Sequence, residues 1–281
     1  MRTGTASNGD IDLYWIDEGP VDGPAAVLVN GAGSTAVMWC RELIDPLVAA
    51  GMRVVRFDNR DVGRSTRVDP EHAYTVADLA ADLATVLDHL GIDAAHLMGR
   101  SMGGMTVLAF AQAMPGRVRS LTLVYTSPCL GEPHTYGLPG PQRAALEAMA
   151  EAAAAPPPET DDERIAARVE ETRLFTGTRY PFDREWATAE AVADVAHAPH
   201  AQPAHGLAVM RSPSAVEGLA DIACPTLVIH GTHDPIIDVA HGRFLAQRIP
   251  GARLVVLEGM SHEMPPAMCD EIIADVLAVM A

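Results

Sequence analysis

The chain has 281 residues, of which 48% are hydrophobic, and a formal charge of −17 from 37 acidic residues against 20 basic ones, all of the latter Arg. At about 150 residues per domain that length spans one or two domains, with ample apolar content for a buried core. So acidic a chain argues against nucleic acid and anionic membrane as partners, and no run approaches the roughly 18 apolar residues of a membrane span.

Residues 1–10 contain no apolar h-region, so a soluble, cytoplasmic protein is expected. Residues 11–16 and 25–29 have the apolar character of strands, 37–50 of a helix, and 52–57 of a strand again. An amphipathic helix follows over 75–90, with Thr75 as N-cap, Asp78 at the capping-box position and Gly91 at the C-terminal stop. A short apolar strand at 95–98, a helix over 102–114 and a strand over 120–125 complete a run of alternating elements. Such alternation predicts a parallel, doubly wound sheet.

From about 127 to 220 the pattern changes to helical segments at 142–155, 161–175, 184–197 and 204–211, the first two separated by Pro156-Pro157-Pro158. Alternation then resumes with a strand at 225–230, a helix at 239–249, a strand at 252–257 and a last helix at 266–280. The expected organisation is a core in two parts, 1–126 and 221–281, with a helical cap at 127–220 over the C-terminal ends of the strands. Ligands bind at that edge in open α/β sheets. Cys40, Cys129, Cys224 and Cys269 lack Zn-ligand spacing and read as four reduced, mostly buried thiols.

Gly99-Arg100-Ser101-Met102-Gly103 lies between a strand and a helix. That is the context of a nucleophile elbow, whose strained serine leaves no room for side chains two residues to either side. A serine hydroxyl needs a base, and the base needs a carboxylate to orient it. His262, in Gly259-Met260-Ser261-His262-Glu263, and Asp234, in Gly231-Thr232-His233-Asp234-Pro235, each follow a strand, in the order Ser, Asp, His. His230 and His233 are the nearest competing imidazoles, and with Asp234 they resemble a metal cluster lacking an evident third ligand, so no metal and no other cofactor is expected. The oxyanion of an acyl transfer needs N–H donors, assigned to Met102 at the start of the elbow helix and to Ala32 in Asn30-Gly31-Ala32-Gly33-Ser34.

With these parts in place the chain resembles the α/β-hydrolase family over nearly its whole length, Phe57-Asp58-Asn59-Arg60-Asp61-Val62-Gly63-Arg64-Ser65 matching the family's Asp-x-Arg-x-x-Gly-x-Ser loop. The resemblance implies a mostly parallel sheet with the cap inserted after the sixth strand. Asp61 where Gly is more usual, and Gly137-Leu138-Pro139-Gly140-Pro141-Gln142 and Thr176-Gly177-Thr178-Arg179-Tyr180-Pro181-Phe182-Asp183 in the cap, are similar to the aclacinomycin-methylesterase branch of that family. Two departures stand out. Asn30 replaces the usual His of the oxyanion loop, and its amide is suited to orient that loop without titrating. Arg100 beside the nucleophile reads either as half of a salt bridge or as a cation for a substrate carboxylate.

Within the family, a serine at the elbow argues against dehalogenases and epoxide hydrolases, which use Asp there. The expected activity is hydrolysis of a carboxylic ester, such as a methyl ester of a polyketide or another lipophilic small molecule, through an acyl-enzyme. The alternatives are a cofactor-free haloperoxidase, a C–C bond hydrolase, or a non-hydrolytic member that binds a ligand or cyclises it. Arg100, Trp39, Tyr136 and Tyr180 are the expected substrate contacts, with Phe182 and Trp186 as further aromatic candidates. The sequence leaves the oligomeric state open.

Overall fold

A computed structural model of the chain describes residues 1–69, 72–129, 131–198 and 205–281. The first half carries β1 (Arg2–Asn8), β2 (Ile11–Glu18), β3 (Ala25–Val29), α1 (Arg41–Ala49), β4 (Arg53–Phe57), α2 (Val76–His89), β5 (Ala95–Arg100), α3 (Met102–Ala113) and β6 (Val118–Val124). Four helices follow, α4 (Arg143–Ala154), α5 (Asp161–Leu174), α6 (Arg184–His197) and α7 (His205–Arg211), with no strand among the described residues of this stretch. The chain then returns through β7 (Thr226–Gly231), α8 (Val239–Arg248), β8 (Arg253–Leu257) and α9 (Pro266–Met280). All eight strands form one sheet in the order β1-β2-β4-β3-β5-β6-β7-β8, antiparallel at β1–β2 and β2–β4 and parallel elsewhere.

Helices cover both faces of the centre of the parallel part, which is why β3 reads as an unbroken apolar run. Alternate residues of β3 face opposite ways. Val27 and Val29 enter a core with Leu83 and Leu87 of α2, Val107 of α3 and Leu245 of α8. Ala26 and Leu28 enter another with Leu43 and Leu47 of α1 and Ile272 and Val276 of α9. Leu97 and Met98 of β5 divide in the same manner.

Helix starts follow their caps. Thr75 and Asp78 form the capping box of α2, the Thr75 N–H donating to Asp78 Oδ2 at 2.8 Å, and Gly91 beyond its end has φ +65°. Thr160 and Glu163 do the same for α5, and Asp183 caps α6 by accepting from Trp186 N–H at 3.0 Å. Ala204, read from sequence as the first residue of the last inserted helix, lies outside the described residues.

Two features differ from expectation. Strand β1 was not visible in the sequence because only Ala6 of its seven residues is buried; it forms by pairing as an edge hairpin with β2, Asn8 opposite Ile11. Cys40 and Cys269 are joined in a disulfide between the start of α1 and α9, which corrects the expectation of four reduced thiols. The two cysteines are 229 residues apart in sequence, and only the packing of α1 on α9 brings them together. Cys129 and Cys224 remain free.

Leu97→Ala, at a fully buried position, is expected to cost about 2–5 kcal/mol in urea denaturation through lost burial and a residual cavity. Leu146→Ala, 49% exposed on α4, is expected to stay within about 0.5 kcal/mol of the parent.

Candidate active site

Ser101 occupies the single residue between β5 and α3, at φ 53° and ψ −123°, a conformation that L residues avoid. The surroundings impose it. The Ser101 N–H donates to the Val124 carbonyl at 3.0 Å, and its own carbonyl accepts from Thr126 Oγ1 at 2.6 Å and Gly104 N–H at 2.9 Å. A Cβ on Gly99 would lie 2.3 Å from the Gly103 carbonyl oxygen, and one on Gly103 would lie 2.0 Å from that of Val29. Both contacts are with backbone, which cannot turn aside, so both positions require glycine.

Beyond β7 and β8, Asp234 and His262 reach the same edge of the sheet. His262 Nε2 lies 3.0 Å from Ser101 Oγ, and its Nδ1 lies 2.7 Å from Asp234 Oδ2. Asp234 is buried, and its other oxygen accepts from the N–H groups of Ile236 and Ile237, each at 2.9 Å. Burial by itself would raise the Asp234 carboxyl, yet the adjacent His262 charge, the bond from His262 and the nearby His230 imidazole, 3.6 Å away, hold it well below the usual carboxylate range. His230 donates from Nε2 to the Ile237 carbonyl at 2.7 Å, and His233 Nδ1 pairs with Thr232 Oγ1 at 3.0 Å, so neither competing imidazole takes the place of His262.

The loop after β3 passes against the serine. Gly31 sits where a Cβ would come within 3.2 Å of Ser101 Cβ, and Ala32 follows it, exposed. Among the described residues neither the Ala32 N–H nor the Met102 N–H has a hydrogen-bond acceptor. Asn30 ties the loop together, its Nδ2 donating to the Thr35 carbonyl and its Oδ1 accepting from Arg100 Nε at 2.8 Å.

Arg100 is held by neutral partners, and its charge also acts on Glu190, whose carboxyl it lowers against the larger effect of burial. It forms no ion pair among the described residues; it donates to Asn30 and, at 3.1 Å, to the Met38 carbonyl, with its guanidinium carbon 4.9 Å from the Trp39 ring centroid. Trp39 is buried beneath it and lines a side cavity of about 440 Å³ with Tyr14, Arg56, Glu190 and His197, a lining that does not include Ser101 or His262. Tyr180 is buried against α9 and donates its hydroxyl to Glu271 Oε2 at 2.7 Å. Tyr136 lies edge-on to Phe244 at 6.5 Å. Among the described residues, the polar and ring contacts of the two tyrosines are with Glu271, Arg179 and Phe244.

Other residues, unremarked in the sequence, do surround the imidazole. The Tyr125 ring lies 4.6 Å from that of His262, and Phe175, from the inserted helices, meets it edge-on at 6.3 Å. Tyr125 has a positive φ of 34° immediately after β6, and burial pushes its phenol upward. Glu263, next to His262, accepts from the Gly177 N–H at 2.7 Å and so joins the histidine loop to the insertion. An isolated aromatic or Glu has no sequence signature for such a role.

The family model for the alpha/beta hydrolase fold matches residues 24–265. The chain belongs to the α/β-hydrolase family. It is 34% identical to rhodomycin D methylesterase DnrP of Streptomyces peucetius, covering 99% of this chain and 98% of that one. It is also 34% identical to rhodomycin D methylesterase DauP of Streptomyces sp. (strain C5), over 92% of this chain and 91% of that one. Both agree with the aclacinomycin-methylesterase likeness read from the motifs. Among solved structures, a hydrolase from Pseudomonas aeruginosa PA01 superposes with a TM-score of 0.75 at 28% identity, covering 99% of this chain and 98% of that one.

Because the Asp234 carboxyl is lowered on folding, it contributes stability that is complete above its unfolded value near pH ~3.9 and is lost as pH falls towards the folded value. Urea midpoints measured downward from pH 6 should therefore fall more steeply below about pH 4 for the parent chain than for Asp234→Asn, in which that proton linkage is absent.

Proposed function

We propose that this protein is a serine-dependent carboxylic ester hydrolase. The observation that carries the reading is the relay from Ser101 Oγ to His262 Nε2 at 3.0 Å and from His262 Nδ1 to Asp234 Oδ2 at 2.7 Å, built on a serine held at positive φ. The N–H groups of Ala32 and Met102, without acceptors among the described residues, flank it.

In this reading His262 takes the Ser101 proton as Oγ attacks the ester carbonyl, and the carbonyl electrons move onto the oxygen facing the Ala32 and Met102 amides. Such donors each supply a few kcal/mol where negative charge develops. When the tetrahedral intermediate collapses, the C–O bond to the alcohol breaks and His262 returns its proton to the leaving oxygen. Water then attacks the acyl-enzyme by the same route in reverse. Asp234, ionised and fixed by two backbone amides, holds the imidazole tautomer and stabilises the imidazolium.

The inserted helices act as a cap over this edge, with Phe175 and Tyr125 giving the imidazole an apolar surround. Full-length likeness to two methylesterases favours a methyl ester of a lipophilic small molecule as substrate. Turnover of p-nitrophenyl acetate should fall by about 10⁴-fold or more in Ser101→Ala and in His262→Ala, and methanol should be released from a polycyclic methyl ester by the parent chain alone. Undiminished p-nitrophenyl acetate turnover in Ser101→Ala would refute the reading.

A further inference from the structure

The loop that carries Ala32 is not held by the core alone. Gly33, the next residue, has both of its backbone polar groups taken by cap side chains. Its N–H donates to His205 Nδ1 of α7 at 3.0 Å, and its carbonyl accepts from an Arg168 terminal nitrogen of α5 at 2.8 Å. Arg168 is itself set by Asp194 of α6, at 3.1 Å from Nε, and the other Asp194 oxygen accepts from Thr35 Oγ1 at 2.6 Å. Three cap helices thus converge on residues 33–35.

His205 is almost wholly buried and is oriented at both ring nitrogens, since Nε2 lies 2.8 Å from the Arg60 carbonyl and donates to it. Nδ1 is therefore the unprotonated nitrogen that accepts from Gly33, and burial favours that neutral form by pushing the imidazole down. The Gly33 N–H belongs to the peptide joining Ala32 to Gly33. Fixing that peptide leaves the Ala32 residue no free rotation on its C-terminal side, while Gly31 against Ser101 fixes the other side.

We infer that His205 and Arg168 are positioning residues by which the cap sets the Ala32 amide in the oxyanion hole, so that docking of the cap and assembly of the hole are one event. This rests on the serine-hydrolase reading, in which Ala32 N–H meets the oxyanion. A displacement of a donor by a fraction of an ångström weakens it most where charge develops, so the effect belongs in kcat and not in ground-state binding.

The test uses p-nitrophenyl acetate, chosen as a small ester, and a trifluoromethyl ketone, whose hemiketal oxygen occupies the oxyanion position after Ser101 Oγ adds to the carbonyl and His262 accepts its proton. In His205→Leu, kcat is expected to fall about 10- to 100-fold, less than the loss of a whole donor. KM should change little and ketone affinity should weaken in parallel with kcat/KM. His205→Asn, which restores an acceptor near the Gly33 N–H, should recover most of both losses. Arg168→Lys keeps the charge beside Asp194 but withdraws the planar N–H from the Gly33 carbonyl, and serves as the second variant should His205→Leu not fold; it should show a loss of the same kind. A folded variant with kcat/KM within twofold of the parent, or with reduced kcat but unchanged ketone affinity, overturns the inference. Loss of the hydrolase reading itself is separate, because it is read from Ser101→Ala in the parent background.

Discussion

The strained turn at Ser101 is the constraint on which the site depends. A residue at φ 53° in the one-residue space between β5 and α3 persists only because its neighbours over-determine it: Val124 on one side, Thr126 and Gly104 on the other, and close backbone contacts at Gly99 and Gly103. Those contacts are made by β3, α3 and β6. The serine is therefore placed by the centre of the sheet, where β3, β5 and β6 are neighbours and their residues are buried.

The second consequence of a parallel sheet is that β3, β5, β7 and β8 end at one edge. Each delivers a part there: the Asn30–Ser34 loop, Ser101, Asp234 and His262. Side chains then lock the parts to one another. Asp58, after β4, accepts from the N–H groups of Ala36 and Arg64 and faces His197 of α6 at 2.7 Å, while Asn30 bridges Arg100 and Thr35. Buried polar groups of this sort are costly unless each is satisfied. Their mutual satisfaction ties α6 and the loops after β3 and β4 together by directional bonds, where an apolar contact alone would let them slide.

The sequence exposed much of this, and the reasons are local. Apolar runs marked β3, β5 and β7; capping residues marked α2; and the glycine spacing around Ser101 reported a steric requirement that no other residue type meets. Strand β1 escaped because one buried Ala in seven residues leaves no pattern. The direction of Arg100 was not legible, because an Arg next to a nucleophile can point either way and its hydrogen-bond partners, an amide and a backbone carbonyl, carry no charge signal. The partners of Tyr136 and Tyr180, Phe244 and Glu271, were not legible either, because aromatic character says nothing of direction.

What the sequence determined by itself was the order and type of elements, the glycines around the elbow and the order of Ser, Asp and His along the chain, since each of these rests on periodicity, backbone sterics or fixed spacing. Only the tertiary structure decided that Cys40 meets Cys269, that Tyr125 and Phe175 enclose His262, that Arg100 serves Asn30, and that His205 and Arg168 grip Gly33. These are contacts between residues remote in sequence. Their geometry follows from how helices pack on the sheet, and packing is a property of surfaces that a linear pattern does not contain.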